Sequence, residues 1–206
     1  MNQKYSTLSK TNLNRASLYA CREDMVYTIA SSFSATNIAE IGVALGKFSD
    51  ILISAFNPSL FSAFDIFQLH TGEYVFGQSS KTIFAEKSHF DFYSNKIKTS
   101  YPDIFFTAHQ GDSSTELFKS EFTYDLIYID GDHRYEGVLK DTNAALQKIS
   151  DRGILIFNDY ILYDRYHDLE YGVVQVVNNL CNATDWKVIG FALQHGMFCD
   201  IALQRN

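Results

Sequence analysis

The chain has 206 residues, 46% of them hydrophobic and 20% charged. That supplies a substantial core at a length that suits one domain, residues 1–206. With 11 Gly and 2 Pro it is neither collagen-like nor low-complexity nor disordered. A formal charge of −7 argues against broad binding to a nucleic-acid backbone. No apolar run reaches the ~18 residues of a membrane span. The first fifteen residues lack the apolar core of a secretion signal. Cys21, Cys181 and Cys199 have no metal-ligand spacing and read as reduced thiols. The cytoplasm is the expected compartment.

Residues 1–12 are polar and expected to be loose. Residues 13–35 form an N-terminal helical segment, with apolar spacing from Leu13 to Phe33. Strands and helices then alternate. A strand at Asn37–Ile41 runs into Gly42, and a helix covers Lys47–Phe56. A strand at Leu60–Asp65 leads to an irregular stretch, Ile66–Gly77, and a helix over Ser79–Thr99. Next come a strand at Asp103–His109, a short helix at Ser114–Lys119 and a strand at Tyr124–Ile129. A helix at Tyr135–Ile149 precedes a strand at Gly153–Phe157 and a helix at Glu170–Cys181. Trp186–Leu193 and Met197–Leu203 close as an antiparallel pair. Apolar strands alternating with helices predict a mostly parallel α/β sheet, helices on both faces, with an antiparallel C-terminal edge. Such sheets bind ligands beyond the carboxyl ends of their strands.

Those strand ends hold the chemistry-bearing residues. Glu40-Ile41-Gly42-Val43-Ala44-Leu45-Gly46 reads as strand, glycine turn and helix start, which points backbone N–H groups at a ligand. It lacks G-x-G-x-x-G, because Ala44 fills the middle glycine position, and it lacks the phosphate-binding G-x-x-x-x-G-K-[ST]. Asp65 either accepts ribose hydroxyls or is a helix cap or solvated loop acid. Asp112 and Ser113 either meet an adenine edge or start the short helix, where Ser113 and Glu116 form a capping box. Asp130, Asp132 and His133 cluster after the fourth strand, a pattern that packing alone does not call for. Asn158 and Asp159 end the fifth. Asp130, Asn158 and Asp159 together offer the hard oxygens that Mg²⁺ or Ca²⁺ takes.

The stretch IDGDHRYEGVLKDTNAALQKISDRGILIFNDY, followed by YGVVQVVNNL, resembles class I S-adenosylmethionine-dependent methyltransferases, in particular small bacterial sugar and macrolide O-methyltransferases. EIGVALGKFS is similar to the catechol and caffeoyl-CoA type. The resemblance runs from about Asn37 onward. It implies a Rossmann-like methyltransferase fold with a seven-stranded sheet. It implies that Glu40, Gly42 and Gly46 hold the methionine part of S-adenosylmethionine, Asp65 the ribose, and Asp112 and Ser113 the adenine side. Asp130 would meet the cofactor's amino end. Asp130, Asn158 and Asp159 would be the Mg²⁺ positions, although Asn158 stands where sugar-modifying members carry a carboxylate.

The function expected is metal-assisted O-methylation of a small hydroxylated acceptor such as a sugar, glycosylated metabolite or phenol. The metal would lower the hydroxyl's pKa, and Asp132 or His133 would serve as base. A metal-independent O- or N-methyltransferase is the runner-up. A nicotinamide oxidoreductase and a noncatalytic cofactor-binding protein are the remaining alternatives. The acceptor would lie among the N-terminal helix, Gln68–Ser80 and Tyr160–Glu170. No nucleic acid or membrane partner is expected. A homodimer, with the N-terminal segment covering a second copy, fits the pattern.

Overall fold

The computed structural model describes residues 5–205. Its centre is one eight-stranded sheet. In chain order the strands are β1 (Ser17–Tyr19), β2 (Asn37–Ile41), β3 (Leu60–Asp65), β4 (Phe105–Gln110), β5 (Tyr124–Ile129), β6 (Ile149–Phe157), β7 (Trp186–Ala192) and β8 (Asp200–Arg205). Their spatial order is β1-β7-β8-β6-β5-β2-β3-β4. From β6 through β4 every pairing is parallel, while β8 pairs antiparallel with both β6 and β7. This is the expected parallel sheet with an antiparallel C-terminal side.

The helices are α1 (Lys10–Leu13), α2 (Arg22–Ser32), α3 (Lys47–Phe56), α4 (Ser80–Phe84), α5 (His89–Ser100), α6 (Ser113–Lys119), α7 (Tyr135–Lys148) and α8 (Val173–Ala183). They cover both faces. One core joins Met25, Leu52, Phe61, Tyr93 and Tyr128, drawn from α2, α3 and α5 and one side of the sheet. The other joins Phe64, Ile127, Leu155, Val138, Val177 and Trp186, under α7 and α8. Burial on both faces explains why β2, β5 and residues 154–157 of β6 read as mostly apolar runs.

Four expectations need correction. The N-terminal segment is not all helix, because Ser17–Tyr19 forms β1 beside β7. The single helix expected over Ser79–Thr99 is two, split where Ala85 and Glu86 adopt φ of +47° and +69°. The sheet has eight strands, not seven, β1 being the addition. The cap of α6 is Asp112, whose Oδ1 accepts from the Thr115 N–H at 2.9 Å, one residue before the expected Ser113. The start of the chain, expected to be loose, falls partly outside the described residues. Asn12 donates to the Cys181 carbonyl at 2.8 Å, and Asn178 donates to the Ser6 carbonyl at 2.7 Å. Residues 6–12 thus lean on α8.

Among the described residues no helix is long and apolar enough to cross a membrane.

Candidate functional site

Strand order reverses at β2. The chain leaves it outward to β3 and β4, then returns to place β5 on its other side. The crevice beyond such a reversal is where sheets of this kind take ligands. Here its walls are the turn after β2 and the first residues after β5. The two approach so closely that a Cβ on Gly42 would stand 1.9 Å from the Asp130 carbonyl oxygen, and Gly42 has φ of +75°. Only glycine fits there.

The turn from Gly42 to Gly46 is held from behind by α5. Lys96 Nζ donates to the Gly46 carbonyl at 2.6 Å and pairs with Asp50 at 2.7 Å. His89 Nε2 lies 2.6 Å from the Ala44 carbonyl oxygen. With those carbonyls held by α5, and the Gly42 and Gly46 N–H groups bonded to the Phe64 and Val43 carbonyls, the N–H groups of Ala44, Leu45 and the start of α3 remain for a ligand. Asp65 closes the side, its Oδ2 accepting from the Val43 N–H at 2.9 Å and its Oδ1 from the Phe67 N–H at 2.6 Å. Each oxygen keeps a lone pair for a hydroxyl. Glu40 lies beneath, fully buried, and accepts from Ser49, whose hydroxyl also meets Tyr93. Burial pushes its carboxyl well above the usual range. Through Ser49, Glu40 ties β2 to α3 beneath the turn. Asp112 is occupied with capping α6, and Ser113 donates to Asp141 at 2.6 Å.

Beyond β5 and β6 the predicted acids gather around one ring. His133 Nε2 is 3.3 Å from Asp130 Oδ1, 3.3 Å from Asn158 Oδ1 and 3.7 Å from Asp159 Oδ2. All three neighbours are acceptors, so the hydrogen of the neutral ring belongs on Nε2 and Nδ1 keeps the basic lone pair. The ring stacks on Tyr171, centroids 4.7 Å apart. Burial disfavours the imidazolium, but Asp130 and Asp159 outweigh it and raise the pKa above 6.5. Burial raises Asp159 to about 6. Asp132, the other expected base, is not in this group. Its Oδ1 accepts from the Arg134 N–H at 3.0 Å, just before α7 begins.

The oxygens of Asp130, Asn158 and Asp159 have the chemistry of a Mg²⁺ site. Mg²⁺ needs oxygens at about 2.0–2.1 Å in octahedral array. The His133 nitrogen takes the centre of the set, so this arrangement does not fit a resident metal. Among the described residues no group of three His, Cys, Asp or Glu side chains is placed to hold one.

Behind Asn158 lies a network that the sequence did not announce. Arg22 donates to the Tyr128 hydroxyl at 3.3 Å, and Tyr128 donates to Asp200 at 2.9 Å. The Asn158 amide donates to Asp200 at 3.1 Å and to Tyr128 at 3.2 Å. This fixes the amide with its oxygen toward His133. Asp200 is fully buried, and burial raises it to about 7 despite the Arg22 charge. Arg22, Tyr128, Asp200, Lys96, His89 and Tyr171 come from five separate elements or loops, only Lys96 and His89 sharing one. No local spacing joins the set, so no motif could have found it.

A family model described as a methyltransferase domain matches residues 39–160. No curated protein sequence matches the chain. The fold is similar to that of the O-methyltransferase TomG from Streptomyces achromogenes, in complex with SAM, at 12% identity and TM-score 0.60, covering 90% of this chain and 80% of that one. An O-methyltransferase from Bacillus cereus, in complex with SAH, is similar at 13% identity and TM-score 0.61, covering 97% and 83%. The N-methyltransferase NodS from Bradyrhizobium japonicum is similar at 12% identity and TM-score 0.58, covering 89% and 94%.

Proposed function

The chain belongs to the methyltransferase domain family, and on that premise we propose that it transfers the methyl group of S-adenosylmethionine to a hydroxyl oxygen of a small molecule, with His133 as base and without a metal. The observation that carries this reading is the His133 ring, held among Asp130, Asn158 and Asp159 next to the glycine turn. The cofactors held by the TomG and Bacillus cereus structures support the choice of donor.

When bound, the cofactor supplies a methyl group on a positively charged sulfur. Gly42 and Gly46 shape the turn, the N–H groups of Ala44, Leu45 and the start of α3 are offered to it, and Asp65 offers carboxylate oxygens to its ribose hydroxyls. Asp130, with Asp65, gives the crevice the negative charge that a sulfonium needs. Asp112 and Ser113 border the adenine side through their backbone, since their side chains are occupied. The donor is already activated, so alignment is the protein's main contribution, worth roughly 7–11 kcal/mol in favourable cases. The hydroxyl must still lose its proton. His133 Nδ1 takes it, while Nε2–H stays between Asp130, Asn158 and Asp159. These oxygens stabilise the imidazolium as it forms.

Two measurements test the proposal. Calorimetric titration with S-adenosylhomocysteine is expected to show binding, and titration with NAD none. Turnover is expected to be unchanged by EDTA. Loss of turnover in EDTA and its return with Mg²⁺ would move Asp130, Asn158 and Asp159 back to the role of metal ligands.

A further inference from the structure

Where the strands β6 and β8 end, their pairing continues as an ordered seam and then opens. Phe157 faces Ile201 in the sheet. Asn158 donates to Asp200. The Tyr160 N–H donates to the Cys199 carbonyl at 2.5 Å. Past that bond the two segments part around a groove of about 520 Å³, lined by Ile161, Tyr163, Arg165, Tyr166, Met197 and Phe198. That volume lies in the range of small-molecule sites. The groove therefore continues the carboxyl edge of the sheet directly from Asn158 and Asp159.

Its chemistry is specific. Tyr166 and Phe198 stack nearly parallel, 20° apart, and Tyr166 and Met197 are 74% and 62% exposed. Exposed aromatic faces and a thioether suit a planar ring. The hairpin that carries Arg165 pairs Tyr163–Asp164 with Leu169–Glu170. Each of its acids already has a partner other than Arg165. Asp164 is buried and accepts from Tyr171 at 3.1 Å and from the Tyr166 N–H at 2.8 Å. Asp168 accepts from Tyr163, and Glu170 accepts from Tyr5 at 3.1 Å. Arg165 is exposed and, among the described residues, makes no hydrogen bond or ion pair. Other cations along this edge are committed, Arg22 to Tyr128 and Arg134 to Asp132. A guanidinium left free beside stacked rings is a planar fork for an oxyanion.

We infer that this groove receives the acceptor, and that the acceptor is a planar hydroxylated ring bearing an oxyanion, which Arg165 recognises. The inference rests on the methyltransferase reading of the adjoining crevice. Carboxylate and phosphate oxygens present the same geometry to the fork, so both belong to the class.

The test uses the full chain saturated with S-adenosylhomocysteine, titrated calorimetrically with 3,4-dihydroxybenzoate, 3,4-dihydroxyphenylphosphonate and the neutral 3,4-dihydroxybenzamide. At least one anion is expected to bind tenfold or more tightly than the amide, and the tighter of the two identifies the preferred oxyanion. Arg165→Gln is expected to erase that preference while leaving S-adenosylhomocysteine affinity unchanged. Tyr166→Ala is expected to weaken all three ring probes alike. Equal binding of anions and amide, no effect of Arg165→Gln, or no binding of any probe to the cofactor-loaded chain overturns the inference. Failure of S-adenosylhomocysteine itself to bind overturns the methyltransferase reading, and the inference with it.

Discussion

His133 and Asp132 are adjacent, yet the fold gives them opposite tasks. The turn into α7 points one side chain at the sheet edge and folds the other back onto the Arg134 N–H. His133→Gln is expected to keep S-adenosylhomocysteine binding while lowering kcat by roughly 10²- to 10⁴-fold, the usual scale for a lost general base. Asp132→Ala is expected to leave kcat within about twofold and to cost about 1 kcal/mol of stability, one hydrogen bond's worth. Only the unprotonated ring accepts a proton. Asp130 and Asp159 hold the His133 pKa above 6.5 against the opposing effect of burial. kcat/KM should therefore climb with pH to a plateau, its midpoint above 6.5, and Asp159→Asn should move that midpoint down. A profile that falls over this range would remove His133 as base. The acids near His133 were legible in the sequence because they follow apolar strands. The choice between Asp132 and His133 was not, since it depends on the residue at which α7 begins.

At the scale of elements, the glycine turn is shaped by its neighbours as much as by its own residues. Gly42→Ala would push a methyl into the Asp130 carbonyl at a φ that L side chains rarely adopt. Loss of S-adenosylhomocysteine binding and a lower Tm are expected. Lys96→Met tests the other side of the turn. It removes the donor to the Gly46 carbonyl while keeping the aliphatic stem, so cofactor affinity should fall about tenfold with the fold intact. Unchanged affinity would show that the turn stands without α5. The strands β2, β3 and β5 have the bounds their sequences suggest, because each is a buried apolar run that ends in a polar or glycine residue. β1 escapes such reading, since it has three residues and is defined by pairing with β7, far away in sequence. The break between α4 and α5 escapes it too. Ala85 and Glu86 are good helix formers, and tertiary packing, not propensity, places them at positive φ.

The whole molecule keeps several acids away from water. Burial raises Asp200 to about 7 and Asp141 and Asp159 to about 6, against 3.8 for an ordinary Asp. Between about pH 4 and pH 7 the folded chain therefore holds protons that the unfolded chain has released, and stability falls as pH rises through that window. The raised pKa of His133 acts in the same direction, since its stabilisation is present at low pH and fades as pH rises past that pKa. Calorimetric scans should give a higher Tm near pH 5.5 than near pH 8, and Asp200→Asn should narrow the gap. A Tm that rises with pH would show that Arg22 compensates Asp200 fully.

The position of β8 has one more consequence. It is the last strand described, yet it lies inside the sheet, between β6 and β7. A chain broken off before Asp200 would leave two strands with open edges, the kind of surface on which chains associate. The same break would strip Asn158 of the carboxyl that aims its amide. Fragments would thus be inactive and prone to aggregation together, and any protease that recognises unpaired strands would clear them without a separate check on activity.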